Sequence, residues 1–169
     1  IGNYNQGGGG VEQILDDFTS NQTHDVHTQK VNYYSDVLKI LCTHGDNDAT
    51  YGIANEGGGR PDFDYDSVIA VTRLNVTYID YTFTHELGHL QGCEHQSNSW
   101  NDDPPAFSYN TYFAYGNGFK VIDGKTKLHS IMYTSYAPRI LYWSNPNIYI
   151  LGQPFGTSGS HHNARVLGE

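Results

Sequence analysis

The sequence predicts a single domain of the mixed α/β (α+β) class, and three observations lead there. At 169 residues the chain is long enough for one sizeable core and short for two. Two short apolar runs, Val37–Cys42 and Asp66–Leu74, are bounded by turn-rich stretches and read as buried strands. Apolar residues at helical spacing precede the first run and follow the second.

After the glycines at 7–10, Val11, Ile14, Leu15 and Phe18 recur on one face, so a short helix is expected there. "HDVHTQKVNYYSD" continues as a second helical piece. The strand Val37–Cys42 ends at the breaker-rich "THGDNDAT", and "YGIAN" reads as a brief edge strand closed by "EGGGRPD". "YIDYTFTHELGHLQ" carries Ile79, Phe83, Leu87 and Leu90 near one helical stripe, with Asp80 or Thr77 as N-cap and Gly92 as stop. From Gln96 to His129 turn signals dominate, among them "NDDPPAF", "YGNGF" and "DGK". "SIMYTSYAPRI" forms a tight region, and Ser160 is the expected N-cap of a short final helix.

Composition narrows the partners. Lys and Arg total 9 against 18 Asp and Glu, and a formal charge of −9 argues against nucleic acid or anionic membrane as partner. No apolar run approaches the ~18 residues of a membrane span, and "IGNYNQGGGG" lacks the basic and apolar regions of a signal peptide, so the chain reads as a mature or trimmed product. Its 14 tyrosines with few lysines fit an extracellular protein. Cys42 and Cys93 are compatible with one disulfide or with two free thiols. "GDND" and "PDFDYD" lack the twelve-residue calcium loop and read as solvated. The Asn-x-Thr triplets at Asn21 and Asn75 read as chance.

The chemistry concentrates in "HELGHLQGCEH", His85 through His95. Residues four apart stack on one helical face, so His85 and His89 can bind one ion while Glu86 points alongside toward a metal-bound water. Gly92 permits a sharp turn that returns His95 to the same ion as a third nitrogen. Three protein ligands leave a fourth position for water, the arrangement of a catalytic zinc, with Glu86 as general base and acid. A shuffled chain would contain HExxHxxGxxH on the order of one time in ten thousand, so chance is a poor account. The remaining histidines lack metal spacing to the motif.

"SIMY" places the only methionine, Met132, in a turn downstream. With the long motif, this resembles the metzincin clan of zinc metalloendopeptidases, whose Met-turn lies beneath the zinc. The ending "LYWSNPNIYILGQPFGTSGSHHNARVL" is similar to bacterial reprolysin-like enzymes, including the peptidyl-Asp metalloendopeptidases. The resemblance implies a metzincin-like catalytic domain with a twisted, mostly parallel sheet, an active-site helix and a smaller, irregular C-terminal subdomain. It divides residues 1–95 from 96–169, and it implies one catalytic zinc ion, a protein or peptide substrate without membrane insertion, a secreted enzyme and a propeptide in the precursor. The missing strand before the first helix agrees with truncation or processing at Ile1. Extended peptide would bind along the edge "YGIAN", with Tyr133, Tyr136, Ala137 and Arg139 as pocket wall. Arg139, or nearby Lys125 or Lys127, would pair with an acidic P1′ side chain. The chain departs from the pattern at Gln96, where reprolysin-like enzymes carry Asp, at Ser130, where adamalysins have Cys, and at Thr134, where astacins and serralysins keep a tyrosine.

Overall fold

The four apolar residues spaced for a helix are its buried face. Helix α1 (Val11–Thr19) buries Val11, Ile14, Leu15 and Phe18. Helix α2 (Val26–Tyr33) starts where the Asp25 carboxylate accepts the Thr28 N–H at 2.9 Å, which satisfies a donor the first turn cannot pair. It stops at Tyr34, in the left-handed conformation at φ 51°. The computed structural model describes residues 10–20, 25–43, 50–55, 64–74, 81–96, 113, 115–135 and 137–168. The chain forms two compact units, Ile1–Leu90 and Gln91–Glu169. Among the described residues no helix is long and apolar enough to cross a membrane.

In the first unit, β1 (Leu38–Cys42), β2 (Gly52–Ala54) and β3 (Ile69–Arg73) form one sheet in the order β1-β3-β2. The apolar runs chosen as strands are strands, though β3 starts later than Asp66 because Tyr65–Ser67 turn as a 3₁₀ helix. Asp64 accepts from the Asp66 N–H and the Ser67 hydroxyl, and Asp66 faces His27 at 3.0 Å, so these carboxylates serve local structure. Among the described residues the sheet is mixed, where a mostly parallel one was expected. β1 pairs β3 in parallel, but β2 pairs it antiparallel, as do the strands of both later ladders. A parallel return requires a crossover element, and among the described residues between β2 and β3 only the 3₁₀ turn is helical.

Register sorts the sheet into two faces, because side chains paired across a ladder point the same way. Leu38, Ile40, Cys42, Ile69, Val71 and Ile53 join the α1 residues and Val26 in one apolar core. The other face carries Lys39, Ala70, Ala54, Thr72 and Gly52, and α3 (Thr82–Leu90) packs against β2 and β3. The Tyr81 carbonyl accepts its first helical bond, from the His85 N–H at 2.9 Å. The expected caps Asp80 and Thr77 lie outside the described residues, as do "GDND", Asn21 and Asn75.

The second unit is built from two hairpins and a polar network. β4 (Lys120–Asp123) and β5 (Thr126–His129) turn at Gly124-Lys125, the predicted "DGK" signal. β6 (Asn145–Ile150) and β7 (Gln153–Phe155) turn at Leu151-Gly152, both at positive φ, the twist a two-residue hairpin favours. α4 (Asn163–Val166) closes the chain with His162, not Ser160, at its N-cap. The Ser160 hydroxyl is instead 2.8 Å from both the Thr157 hydroxyl and His161 Nδ1, which pulls it into the preceding turn. Cys42 and Cys93 are free thiols, each buried, which settles the open choice against a disulfide.

Candidate metal centre

On α3, His85 and His89 sit one turn apart and are 6% and 5% exposed. Their Nε2 atoms face each other at 3.3 Å. Gly92, at φ 93°, ends the helix in a conformation that costs a glycine little, and the chain turns toward His95. One ligand atom from each of the three imidazoles lies within 4.8 Å of the other two. Two neutral imidazoles have at most one proton to share at such a contact, whereas a cation is held by lone pairs from all three. The spacing also fits: zinc bound by nitrogen at about 2.0–2.1 Å in tetrahedral geometry sets neighbouring nitrogens about 3.3–3.4 Å apart. Burial, followed by the charge of Arg139, lowers the His95 pKa to about 4. That ring is therefore neutral at neutral pH, with a lone pair to give.

Glu86, on the same helix, is 4% exposed. Its carboxylate lies so close to β2 that a Cβ added at Gly52 would meet Glu86 Oε1 at 2.6 Å and Thr82 Cγ2 at 2.7 Å. From β1, the Lys39 Nζ stands 5.1 Å from the centre of the Phe83 ring, one helical turn from Glu86. Burial lowers the Lys39 pKa to about 8, with the Glu86 charge opposing that shift.

The other expected site residues belong to the second unit. Met132 is fully buried in a turn and packs with Cys93 and Ile131. Ser130 is also fully buried, and its hydroxyl accepts the Phe119 N–H at 2.9 Å. Tyr133 is 1% exposed, with its ring against His129 and 5.2 Å from the Lys120 ammonium. His129 in turn sets its ring nitrogens against the Ser130 carbonyl at 2.9 Å and the Ala137 carbonyl at 2.7 Å. Arg139 is half-buried, bridges His129 through the backbone, and acts electrostatically on His95. Lys125 is exposed at the hairpin turn and Lys127 half-buried on β5. Tyr136 lies outside the described residues.

Residues 3–144 match the family described as Metallo-peptidase family M12. This chain is a member of the M12 metallopeptidases. Curated relatives of this M12 chain are named peptidyl-Asp metalloendopeptidase. One from Xanthomonas campestris pv. campestris is 32% identical over 84% of this chain and 31% of its own. One from Stenotrophomonas maltophilia strain R551-3 is 34% identical over 84% of this chain and 32% of its own. A Pseudomonas fragi relative is 37% identical over 40% of this chain and 43% of its own. The M12 chain thus spans about a third of the length of the first two. A solved chaperone–substrate complex contains a chain of similar fold, with a TM-score of 0.64 and 16% identity over 97% of this chain and 24% of that one.

Three residues of the M12 chain gain roles that sequence reasoning missed. Gln96, read as a departure from Asp, is 1% exposed, and its Nε2 donates to the Thr134 carbonyl at 2.9 Å while the Thr134 N–H donates to its Oε1 at 2.9 Å. The residue after the third histidine is thereby tied to the segment that follows Met132. A glutamine directly after His95 and a hydroxyl-bearing Thr134 were all the sequence offered, and nothing in the spacing pairs positions 38 apart. Gly52 and Lys39 became visible only through strand register. The "SNPN" and "NARVL" runs are joined in a buried network: the Ser144 hydroxyl accepts the Asn163 N–H at 2.8 Å, and Asn163 Nδ2 donates to the Gly116 carbonyl at 2.6 Å.

Proposed function

We propose that this chain is the catalytic domain of a secreted zinc endopeptidase, made as a precursor with a propeptide, with residues 1–95 and 96–169 as its two subdomains. The observation that carries the reading is the convergence of the His85, His89 and His95 nitrogens beside a buried glutamate. Zinc, when held by those three nitrogens, supplies a Lewis acid that polarises the scissile carbonyl and acidifies water. The chain's own residues do the rest. Glu86 accepts a proton from the attacking water and returns it to the leaving amine. Met132 fills the Met-turn. β2, at the sheet edge among the described residues, offers its free side to an extended peptide.

Tyr133, Tyr136, Ala137 and Arg139 form the pocket segment in this proposal. The influence of Arg139 on His95 favours it over Lys125 or Lys127 as the partner of an acidic P1′ side chain. The relatives' name, peptidyl-Asp metalloendopeptidase, agrees with that preference.

The test separates ligand from base. His95→Ala should lose most of the bound zinc and lower the melting temperature, because metal binding is coupled to folding. Glu86→Ala should keep zinc near one per chain and lose about 10²- to 10⁴-fold in turnover of a quenched peptide. Zinc-loaded Glu86→Ala that keeps more than about a tenth of wild-type turnover would refute the proposed role, since losing a general base and acid costs far more than that.

A further inference from the structure

Lys39 stands on the sheet face that Glu86 meets at Gly52, and its charge has an odd setting. Lys39 lies on the sheet face that carries Ala70, Ala54, Thr72 and Gly52, the face turned toward α3. Its neighbours across the ladder are small, which leaves room for a long side chain between sheet and helix. The ammonium reaches the Phe83 ring at 5.1 Å, and Phe83 and Glu86 are three residues apart on α3, hence on adjoining positions of one helical face. Gly52 fixes how close Glu86 comes to the same sheet. Among the described residues Lys39 Nζ is buried and makes no hydrogen bond.

Such a placement is poor for stability. A buried ammonium without hydrogen bonds costs free energy that a methionine of similar shape would not. The ring face of Phe83 compensates only in part, since a cation–π contact is weaker than the hydration the ammonium has lost. The Glu86 carboxylate is the acidic group whose charge favours the ammonium, acting across the layer without a hydrogen bond. A fixed cation in a poorly solvated layer favours one direction of a neighbouring carboxylate much more strongly than it would in water.

We propose that Lys39 is a positioning residue for Glu86, its buried ammonium holding the carboxylate in its working direction from the sheet side of α3. The inference rests on the reading of Glu86 as proton acceptor. Lys39 touches neither substrate nor metal in this scheme and acts through Glu86 alone.

The experiment compares zinc-loaded wild type, Lys39→Met, Lys39→Arg, Glu86→Gln and the Lys39→Met/Glu86→Gln double variant, with zinc content, thermal melts and steady-state kinetics on a quenched peptide. Lys39→Met should lower kcat about ten- to hundredfold at unchanged KM and full zinc, the scale of a carboxylate misplaced by about an ångström. Lys39→Arg should recover part of that loss. In the melts, the effect of Glu86→Gln should differ between the wild-type and Lys39→Met backgrounds, the mark of direct coupling. A Lys39→Met kcat within about twofold of wild type, which falls outside that scale, overturns the proposal. So does an additive melting cycle, and so does loss of the fold in Lys39→Met, which would mark Lys39 as structural support. Failure of the underlying reading looks different: Glu86→Gln would then stay active whatever occupies position 39.

Discussion

Gly52→Ala is the smallest change that should reach the proposed proton acceptor without touching it. The new methyl would lie 2.6 Å from Glu86 Oε1, 2.7 Å from Thr82 Cγ2 and 2.9 Å from Glu86 Cγ, where an ordinary contact begins near 3.4 Å. The deficit is about 0.8 Å against the carboxylate oxygen, and Thr82 is β-branched and stiff at χ1, so it yields little. Either the carboxylate swings aside or α3 lifts from β2, and both move Glu86 by that order. A misplacement of about 1 Å costs on the order of 10²-fold, so kcat should fall about ten- to hundredfold. Overpacking of this kind costs about 1–3 kcal/mol, which is a melting shift of roughly 2 to 12 °C for a domain of this size. KM should hold, because the methyl points at α3 while the free backbone edge of β2 is untouched. The assay is quenched-peptide turnover with zinc content and a thermal melt on the same sample. A variant with more than about half of wild-type kcat and an unchanged melt would show that the close approach at Gly52 does not set the carboxylate, contrary to the expected penalty.

Gln96→Ala leaves the Thr134 N–H without its partner, so the fold should lose about 1–3 kcal/mol. Because the clamp sits beside His95, zinc affinity measured against a competing chelator should weaken about ten- to hundredfold, and unchanged affinity would detach the clamp from the metal. Arg139→Ala should erase most of the proposed preference for Asp over Ala at P1′ in matched peptides, a loss of about tenfold or more for a charge-assisted contact. Equal discrimination in the variant would place recognition of the acidic side chain elsewhere. The Cys93 thiol, pushed up to about 12 by burial, should resist iodoacetamide at pH 8 in the native protein and react once unfolded, as mass spectrometry would report.

The parts of the fold legible in the sequence are those decided by local pattern. Val11, Ile14, Leu15 and Phe18 declare α1 because helical burial repeats every three to four residues, and Ile69 to Val71 declare β3 because a strand buried on both faces is apolar throughout. The three histidines were legible because their spacing is itself the geometry: a helical turn, then a glycine able to reverse the chain. Strand direction was not legible, since "YGIAN" reads the same whether it runs with β3 or against it. The β6-β7 hairpin was overlooked because Leu151 stands at positive φ, where the usual signals are Asn or Asp beside Gly. Lys39 and Gln96 escaped for a common reason: a lysine or glutamine reads as surface until tertiary packing buries it.

The polar network of the second unit carries a consequence for how the protein folds. Asn163 Nδ2 donates to a carbonyl 47 residues earlier, and Asn117 Nδ2 donates to the Ser160 carbonyl 43 residues later. Closing a loop of that length costs about 3.4 kcal/mol beyond the constant part of the closure entropy, and that cost falls before the bonds themselves are made. On a ribosome, the Asn117 side-chain amide and the second bond of the Gly116 carbonyl must therefore wait until the chain through α4 has been synthesised. Folding of this unit should be slow and late, limited by the arrival of its last helix and not by the hairpins, which turn locally and form in microseconds.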